Sequence, residues 1–531
     1  QESFAVRDGR ILAAGDLTPV RLAAGADSVE VDLGGAFVSP GIIEGHAHML
    51  MLGESLDKVQ LRDCTSVAEV QERLAAARAA APDAPRILGT SWLFDIFAPG
   101  ERPTAAMLDA AVPDVPVILD ANDLHSVWVN TAALQAMEID RSTPDPVGGE
   151  IMRDDEGDAT GFLLETAAMK HAWGYLEAMA SDADRDRFLE NACNAYLETG
   201  VTGATEMSFG AADLAAYRRR LDRDGRLPFP VNAHWILTAS GSLETALAEV
   251  AEVARLRDEV AAQCGEDWLR IAGVKFILDG VIDACTATMR APYANGALPG
   301  PIWEREFALP VAVAADAAGL QLALHAIGDE ASTIALDMVQ ECISVTGPRA
   351  DRRARVAHRE SVAGDTIARM AALGVTASMQ PVHCDPAVLD NWQAVLGDER
   401  AHTGFPWHKF RDAGVALALG TDAPTAPHEA PNNLFIAVTA KSVLDRERAP
   451  YQPHRVFTPA EAVEALTLGT AFATRREHEV GRIASGYRAN VVVWTANPLT
   501  DAPEALLDSA SAMTLVDGEV AYSAAHGTMG A

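Results

Sequence analysis

The chain has 531 residues, 49 % apolar and 22 % charged, a composition suited to a globular protein with one enzyme-sized domain plus an accessory one. Its net charge of −33 argues against nucleic acid and anionic membrane as partners, because both would repel it. The six cysteines are scattered without a C-x-x-C pair, and no uninterrupted apolar run reaches the ~18 residues of a membrane span, so a reduced cytoplasmic protein is expected.

The chain opens on Gln1 inside what reads as a strand and shows no signal peptide, so residues preceding Gln1 are expected and a removed targeting segment stays open. Phe4–Arg7, Asp8-Gly9 and Arg10–Ala13 read as a hairpin, and Met513–Tyr522 repeats the Asp-Gly pattern after a strand at 489–494. Two β-rich ends predict a small β-sandwich built from residues 1–38 and 476–531. Between them, residues 39–475 alternate short apolar strands with Ala-rich helices. Strands are predicted before His46 and at 201–206, 231–235, 271–276, 322–325, 356–358, 375–378 and 416–422, with helices such as 67–81, 243–262 and 310–319. This alternation predicts an α/β chain forming a (β/α)8 TIM barrel. Residues 54–190 break the rhythm and read as a large insertion after barrel strand 1, near the active site.

The first strand ends in His46-Ala47-His48. Period-two alternation puts both imidazoles on one side, forming half of a zinc-type site. Other strands also end in potential ligands: Lys275, His325, His358 and Asp422. In a barrel the carboxyl ends of the strands meet at one face, so these six residues are expected to converge there as metal ligands. Lysine is otherwise confined to positions 58, 170, 409 and 441, which makes Lys275 in an apolar strand conspicuous. A buried ammonium among cations is disfavoured. Lys275 is therefore neutral, displaced, or carbamylated into a carboxylate bridging two ions. A structural lysine paired with Asp279 or Glu165 is the competing reading.

These residues and their surroundings resemble the amidohydrolase superfamily, and within it the YtcJ-like branch (amidohydrolase family 3). The matching segments run in order: Pro40-Gly41-Ile42 before His46-x-His48, Leu124–Asn130, Pro146–Glu150 and Gly161–Glu165. They continue with Gly273–Phe276 and Asp279-Gly280, His325–Asp329, Ala357–Glu360, Met379-Gln380-Pro381-x-His383, and Gly420–Pro424. Two segments depart from the usual pattern: Glu44-Gly45 replaces Asp-Ser or Asp-Ala, and Gly486–Asn490 replaces Gly-Lys-x-Ala-Asp.

The resemblance implies a metal-dependent hydrolase cleaving a non-peptide amide of a small, partly apolar molecule. Ester, lactone or urea hydrolysis or deamination at the same site is the alternative, and a catalytically dead binding protein a third. One or two divalent ions are implied, zinc first among them, with carbamylation of Lys275. Asp422 is expected to shuttle the proton, with His125 as a catalytic or substrate contact. Gln380 and His383 are expected to line the substrate pocket, with Trp92, Phe94 and Trp128 as apolar walls. The partner is then a small-molecule substrate, and the resemblance leaves a homodimer open.

Overall fold

The computed structural model describes residues 2–98, 100–239, 241–508, 511–525 and 527–528. At its centre is an eight-stranded sheet of β1 (Ile42–Ala47), β2 (Val201–Phe209), β3 (Val231–Ile236), β4 (Leu269–Ile277), β5 (Gln321–Ala326), β6 (Arg355–His358), β7 (Thr376–Met379) and β8 (Leu417–Leu419). Each strand pairs in parallel with the next in chain order. Helices such as Leu243–Cys264, Arg305–Ala317 and Asp329–Thr346 lie between successive strands. The strands are buried on both faces, which is why they read as continuous apolar runs.

The first and last strands come together at their carboxyl ends. The Asp422 N–H donates to the His46 carbonyl at 2.9 Å, and the Thr421 N–H donates to Glu44 Oε1 at 2.8 Å. The sheet is therefore a nearly closed barrel. A Cβ at residue 45 would lie 2.3 Å from the Leu419 carbonyl oxygen, so this approach needs Gly45.

The insertion has a sheet of its own, with strands in the order Val59–Gln60, Ile87–Trp92, Val117–Ala121, Ser126–Val129, Ala159–Glu165, Gly149–Arg153. Two apolar clusters sit on this sheet, one around Trp92 and Trp128 and another around Val127 and Leu163. The sheet ends at Glu165. Helix Asp182–Glu198, opened by a Ser181/Asp184 capping box, packs Leu189 and Leu197 into the barrel core, so the boundary expected at 190 cuts through a barrel-packed helix.

At the chain ends, Ser3–Arg7 and Arg10–Gly15 form an antiparallel pair. A five-stranded sheet runs Gly527–Thr528, Glu519–Ser523, Ser511–Val516, Val491–Trp494, Val38–Pro40. Backbone bonds tie the pair to the segment leading into Val491–Trp494, including Ile11 N–H to Tyr487 O and Ala489 N–H to Gly9 O, both 2.8 Å. Val38–Pro40 crosses the boundary expected at 38/39, and residues 1, 509–510, 526 and 529–531 of the expected terminal segments lie outside the described residues. Among the described residues no helix is long and apolar enough to cross a membrane.

Candidate metal centre

The carboxyl end of β1 delivers His46, 1 % exposed, and His48 follows directly. Across the barrel seam, Asp422 Oδ1 stands 2.8 Å from His48 Nε2 and 3.4 Å from His46 Nε2. One donor atom from each of the three residues lies within 4.8 Å of the others, tight enough for a single ion. Burial pushes the Asp422 carboxyl up, but the His48 hydrogen bond and the charges of His48, His383 and Lys275 outweigh it and hold the group below its ordinary value. Asp422 thus stands as an ionised carboxylate, available as a candidate ligand. Its φ of 61° is left-handed, as is the 73° of His358, and such strain in non-glycine residues persists where surrounding structure enforces it.

Lys275 and His325 enter from β4 and β5. Lys275 is buried with Nζ 3.2 Å from His46 Nε2, and burial lowers its ammonium to about 8. Its two expected structural partners are engaged elsewhere. Asp279 accepts N–H bonds from Thr288, Ile327 and Gly328 at 3.0, 3.0 and 2.8 Å, and Glu165 binds His125. The His325 ring lies 4.3 Å from that of His358, but its Nε2 turns toward Gly280 O at 3.4 Å and Asp279 Oδ1 at 3.5 Å.

Burial, reinforced by neighbouring positive charge, holds His46, His325 and His358 well below the ordinary imidazole range, leaving the neutral form that ligates metal. His358 supplies the test of fit. It is 4 % exposed, and neither ring nitrogen has a hydrogen-bond partner. A buried imidazole with two unsatisfied nitrogens costs free energy unless a ligand meets it. Imidazoles with carboxylates form a donor set suited to a divalent ion, so the residues fit a metal.

Above this cluster opens a cleft of about 900 Å3, part of it continuous with solvent. His125, His325, His358, His383 and Asp422 lie on its wall with apolar Phe94, Val281 and Leu389. The His125 Nδ1 is 2.6 Å from Glu165 Oε2. Burial would lower this imidazole, but the charge and hydrogen bond of Glu165, aided by Asp123, raise it to about 9. Gln380 reaches beneath the cleft instead, with Nε2 3.2 Å from His46 Nδ1, so it orients a candidate ligand.

Two expected pocket walls are corrected. Trp92 and Trp128 are fully buried in the core of the insertion, their indole N–H groups donating to Leu119 O at 3.0 Å and Thr104 O at 2.8 Å. Edge-on packing with each other and with Phe97 satisfies these rings away from the cleft. Phe94 alone of the three lines it.

Three further residues went unrecognised as site residues in the sequence. Glu360 lines the cleft 3.3 Å from His383 Nδ1. Thr425 bonds His383 Nε2 at 2.9 Å. Arg62, from the insertion, donates to Pro424 O at 2.9 Å and Thr425 O at 3.3 Å, tying the insertion to the loop after Asp422. The Ala357-His358-Arg359-Glu360 run was the available signal for Glu360.

The amidohydrolase family profile matches residues 29–522. The chain belongs to the amidohydrolase family. This amidohydrolase is 27 % identical over 531 residues to the putative amidohydrolase YtcJ of Bacillus subtilis (strain 168), covering 98 % of this chain and 96 % of that protein. It is 28 % identical over 543 residues to the N-substituted formamide deformylase of Arthrobacter pascens, covering 98 % and 95 %. Among solved structures, an uncharacterised metal-dependent hydrolase from Pyrococcus furiosus matches with a TM-score of 0.68 and 28 % identity, covering 93 % of this chain and 95 % of that one. Its family makes the chain a hydrolase.

Proposed function

We propose that this amidohydrolase breaks a non-peptide amide C–N bond in a small, partly apolar molecule. The observation that carries the reading is the His46–His48–Asp422 trio at the carboxyl end of the barrel, beside a cleft with apolar wall residues. These three residues would hold a divalent ion, zinc suiting their borderline donors. When bound, the ion supplies Lewis-acid polarisation of a carbonyl and activation of water.

The chain's own groups supply the rest. The ionised Asp422 carboxylate takes the proton of the attacking water and returns it to the leaving nitrogen as the C–N bond breaks. With Nδ1 committed to Glu165, His125 has Nε2 available to donate to the substrate oxygen, as an imidazolium aimed at developing negative charge. Phe94, Val281 and Leu389 cover apolar parts of the substrate and exclude water. Burial lowers the Lys275 ammonium to about 8, so a minority of the amine is neutral near physiological pH, the form that reacts with carbon dioxide, which supports a carbamate there.

Likeness to a formamide deformylase puts N-substituted formamides first in the substrate panel. The test is formate release from N-formyl aralkylamines by zinc-reconstituted protein. Release that stops with chelator and in Asp422→Asn supports the proposal. No release from any formyl, acetyl or aroyl amide by zinc-loaded protein overturns it.

A further inference from the structure

We infer that an acidic wall of the cleft selects amides whose amine portion carries a protonated amino group, received by Asp95, Asp123 and Asp283. This selectivity rests on the amide-cleaving reading of the same cleft and adds the charge of the substrate to it. The three carboxylates come from separate segments. Asp95 lies in the short turn Phe94–Ile96 of the insertion, Asp123 between its strands Val117–Ala121 and Ser126–Val129, and Asp283 beyond the end of β4. All three line the cleft together with apolar Phe94, Val281 and Leu389, so an apolar chain ending in an ammonium finds a matching surface for each part.

Among the described residues, none of the three carboxylates meets a lysine or arginine in an ion pair. Asp283 Oδ1 accepts from the neutral Asn391 amide at 3.2 Å, and Asp123 Oδ1 accepts the His125 N–H at 2.9 Å. Asp123 Oδ2 is buried and has no hydrogen-bond partner, an acceptor that the chain itself leaves unmet. The positive groups on the same wall are bonded elsewhere: His125 to Glu165, His383 to Glu360 and Thr425, and Arg62 to Asn122, Ser91 and the carbonyls of Pro424 and Thr425.

Carboxylates crowded without a cation repel one another, and burial adds to the penalty. Burial and the charges of Asp123, Glu360 and Asp95 push Asp283 up to about 8, against its bond from Asn391. Burial raises Asp123 and Asp95 to about 6 each, in spite of the pull of His125 on the first and of Arg448, itself paired with Asp390, on the second. A bound ammonium supplies the missing positive charge, and the net charge of −33 draws cations toward the cleft. The oxygens of the three do not close to within 4.8 Å of one another as the His46–His48–Asp422 donors do, so they outline room for an organic ammonium rather than a bare ion.

The test gives the zinc-loaded full chain three flexible formamides of one length that differ only at the far end: N-formylcadaverine (ammonium), N-formylhexylamine (methyl) and N-formyl-aminocaproate (carboxylate). kcat/KM is expected to fall in that order, with the ammonium favoured over the methyl about 10–100-fold, the range of a hydrogen bond to a charged group. In Asp283→Asn and in Asp123→Asn the ratio of ammonium to methyl should shrink toward one. The ratio is taken within each variant, so partial loss of folded protein cancels. Cleavage with no preference for the ammonium, or a preference kept in both variants, overturns the acidic wall and leaves the proposed function standing. If none of the three is cleaved, calorimetric binding of the same compounds replaces kcat/KM. The same order and its collapse in the variants then support the wall, and equal binding overturns it, while the missing cleavage counts against amide hydrolysis alone.

Discussion

Thr421 donates twice to Glu44, its N–H to Oε1 at 2.8 Å and its hydroxyl to Oε2 at 2.9 Å, and Glu44 Oε1 also accepts the His46 N–H at 2.9 Å. One buried carboxyl thus clamps the last strand to the first, two residues from His46 on one side and one from Asp422 on the other. The departure from the family pattern at Glu44-Gly45 falls on this clamp. A longer carboxylate spans the seam, and the glycine allows the backbones to meet.

Replacing Glu44 with Ala leaves buried donors of His46 and Thr421 unpaired. A loss of at least ~3 kcal/mol is expected by chemical denaturation, since three donors are orphaned and each costs ~1–3 kcal/mol. Zinc affinity should fall about 10–100-fold, as when groups that orient metal ligands are removed. Unchanged affinity would show that the clamp does not position His46 and Asp422.

Asp422→Asn tests proton transfer at the seam. The amide keeps the shape but cannot take the proton from water, so kcat should drop about 10²–10⁴-fold in an amide assay. Retained turnover would remove Asp422 from that role.

The His125–Glu165 pair predicts an alkaline limit. His125 carries its charge below about 9 and loses it above, so kcat/KM should fall as pH rises through that value. In Glu165→Gln the main groups raising His125 are gone, and the limb should move toward neutral pH. A profile whose limb stays in place would assign the limit to another group.

At the bottom of the barrel, His234 is fully buried with Nε2 3.0 Å from Gln321 Oε1. Burial, with Arg355 nearby, lowers it to about 3, against ~6.5 when unfolded. Its pKa is depressed on folding, so between these values the unfolded chain binds more protons. The contribution is complete above ~6.5 and is lost as pH falls toward about 3. Denaturation at several pH values should show wild-type stability falling on the acid side, with a shallower slope in His234→Asn. Parallel slopes would exclude His234 as the cause.

The tryptophan correction separates packing from recognition. Phe94→Ala should raise KM several-fold with little change in melting temperature, because Phe94 lines the cleft. Trp92→Ala should destabilise the protein by ~3–5 kcal/mol, as aromatic truncations in cores do, with little effect on KM. The reverse pattern would return Trp92 to the pocket.

The barrel was legible in the sequence because each strand is a short, doubly buried apolar run, several of them closing on a residue with metal chemistry. The insertion was legible only as an interruption. Its antiparallel pairs, such as Val117–Ala121 with Ser126–Val129, are set by packing between segments that no local period reveals. The same packing took Trp92 and Trp128 into a core. Glu360 was hidden for a different reason: alternation of side chains fails where His358 and Arg359 turn left-handed, and that bend brings Glu360 to the cleft wall.

The central claim is metal-dependent hydrolysis of a C–N bond, and a mass-spectrometric screen tests it most directly. Zinc-loaded and chelated protein would be given pooled N-formyl, N-acetyl and N-aroyl amines together with esters, ureas and aminopurines. The account predicts amide cleavage that chelation abolishes. Turnover confined to esters, ureas or aminopurines, or amide cleavage indifferent to chelator, would contradict it.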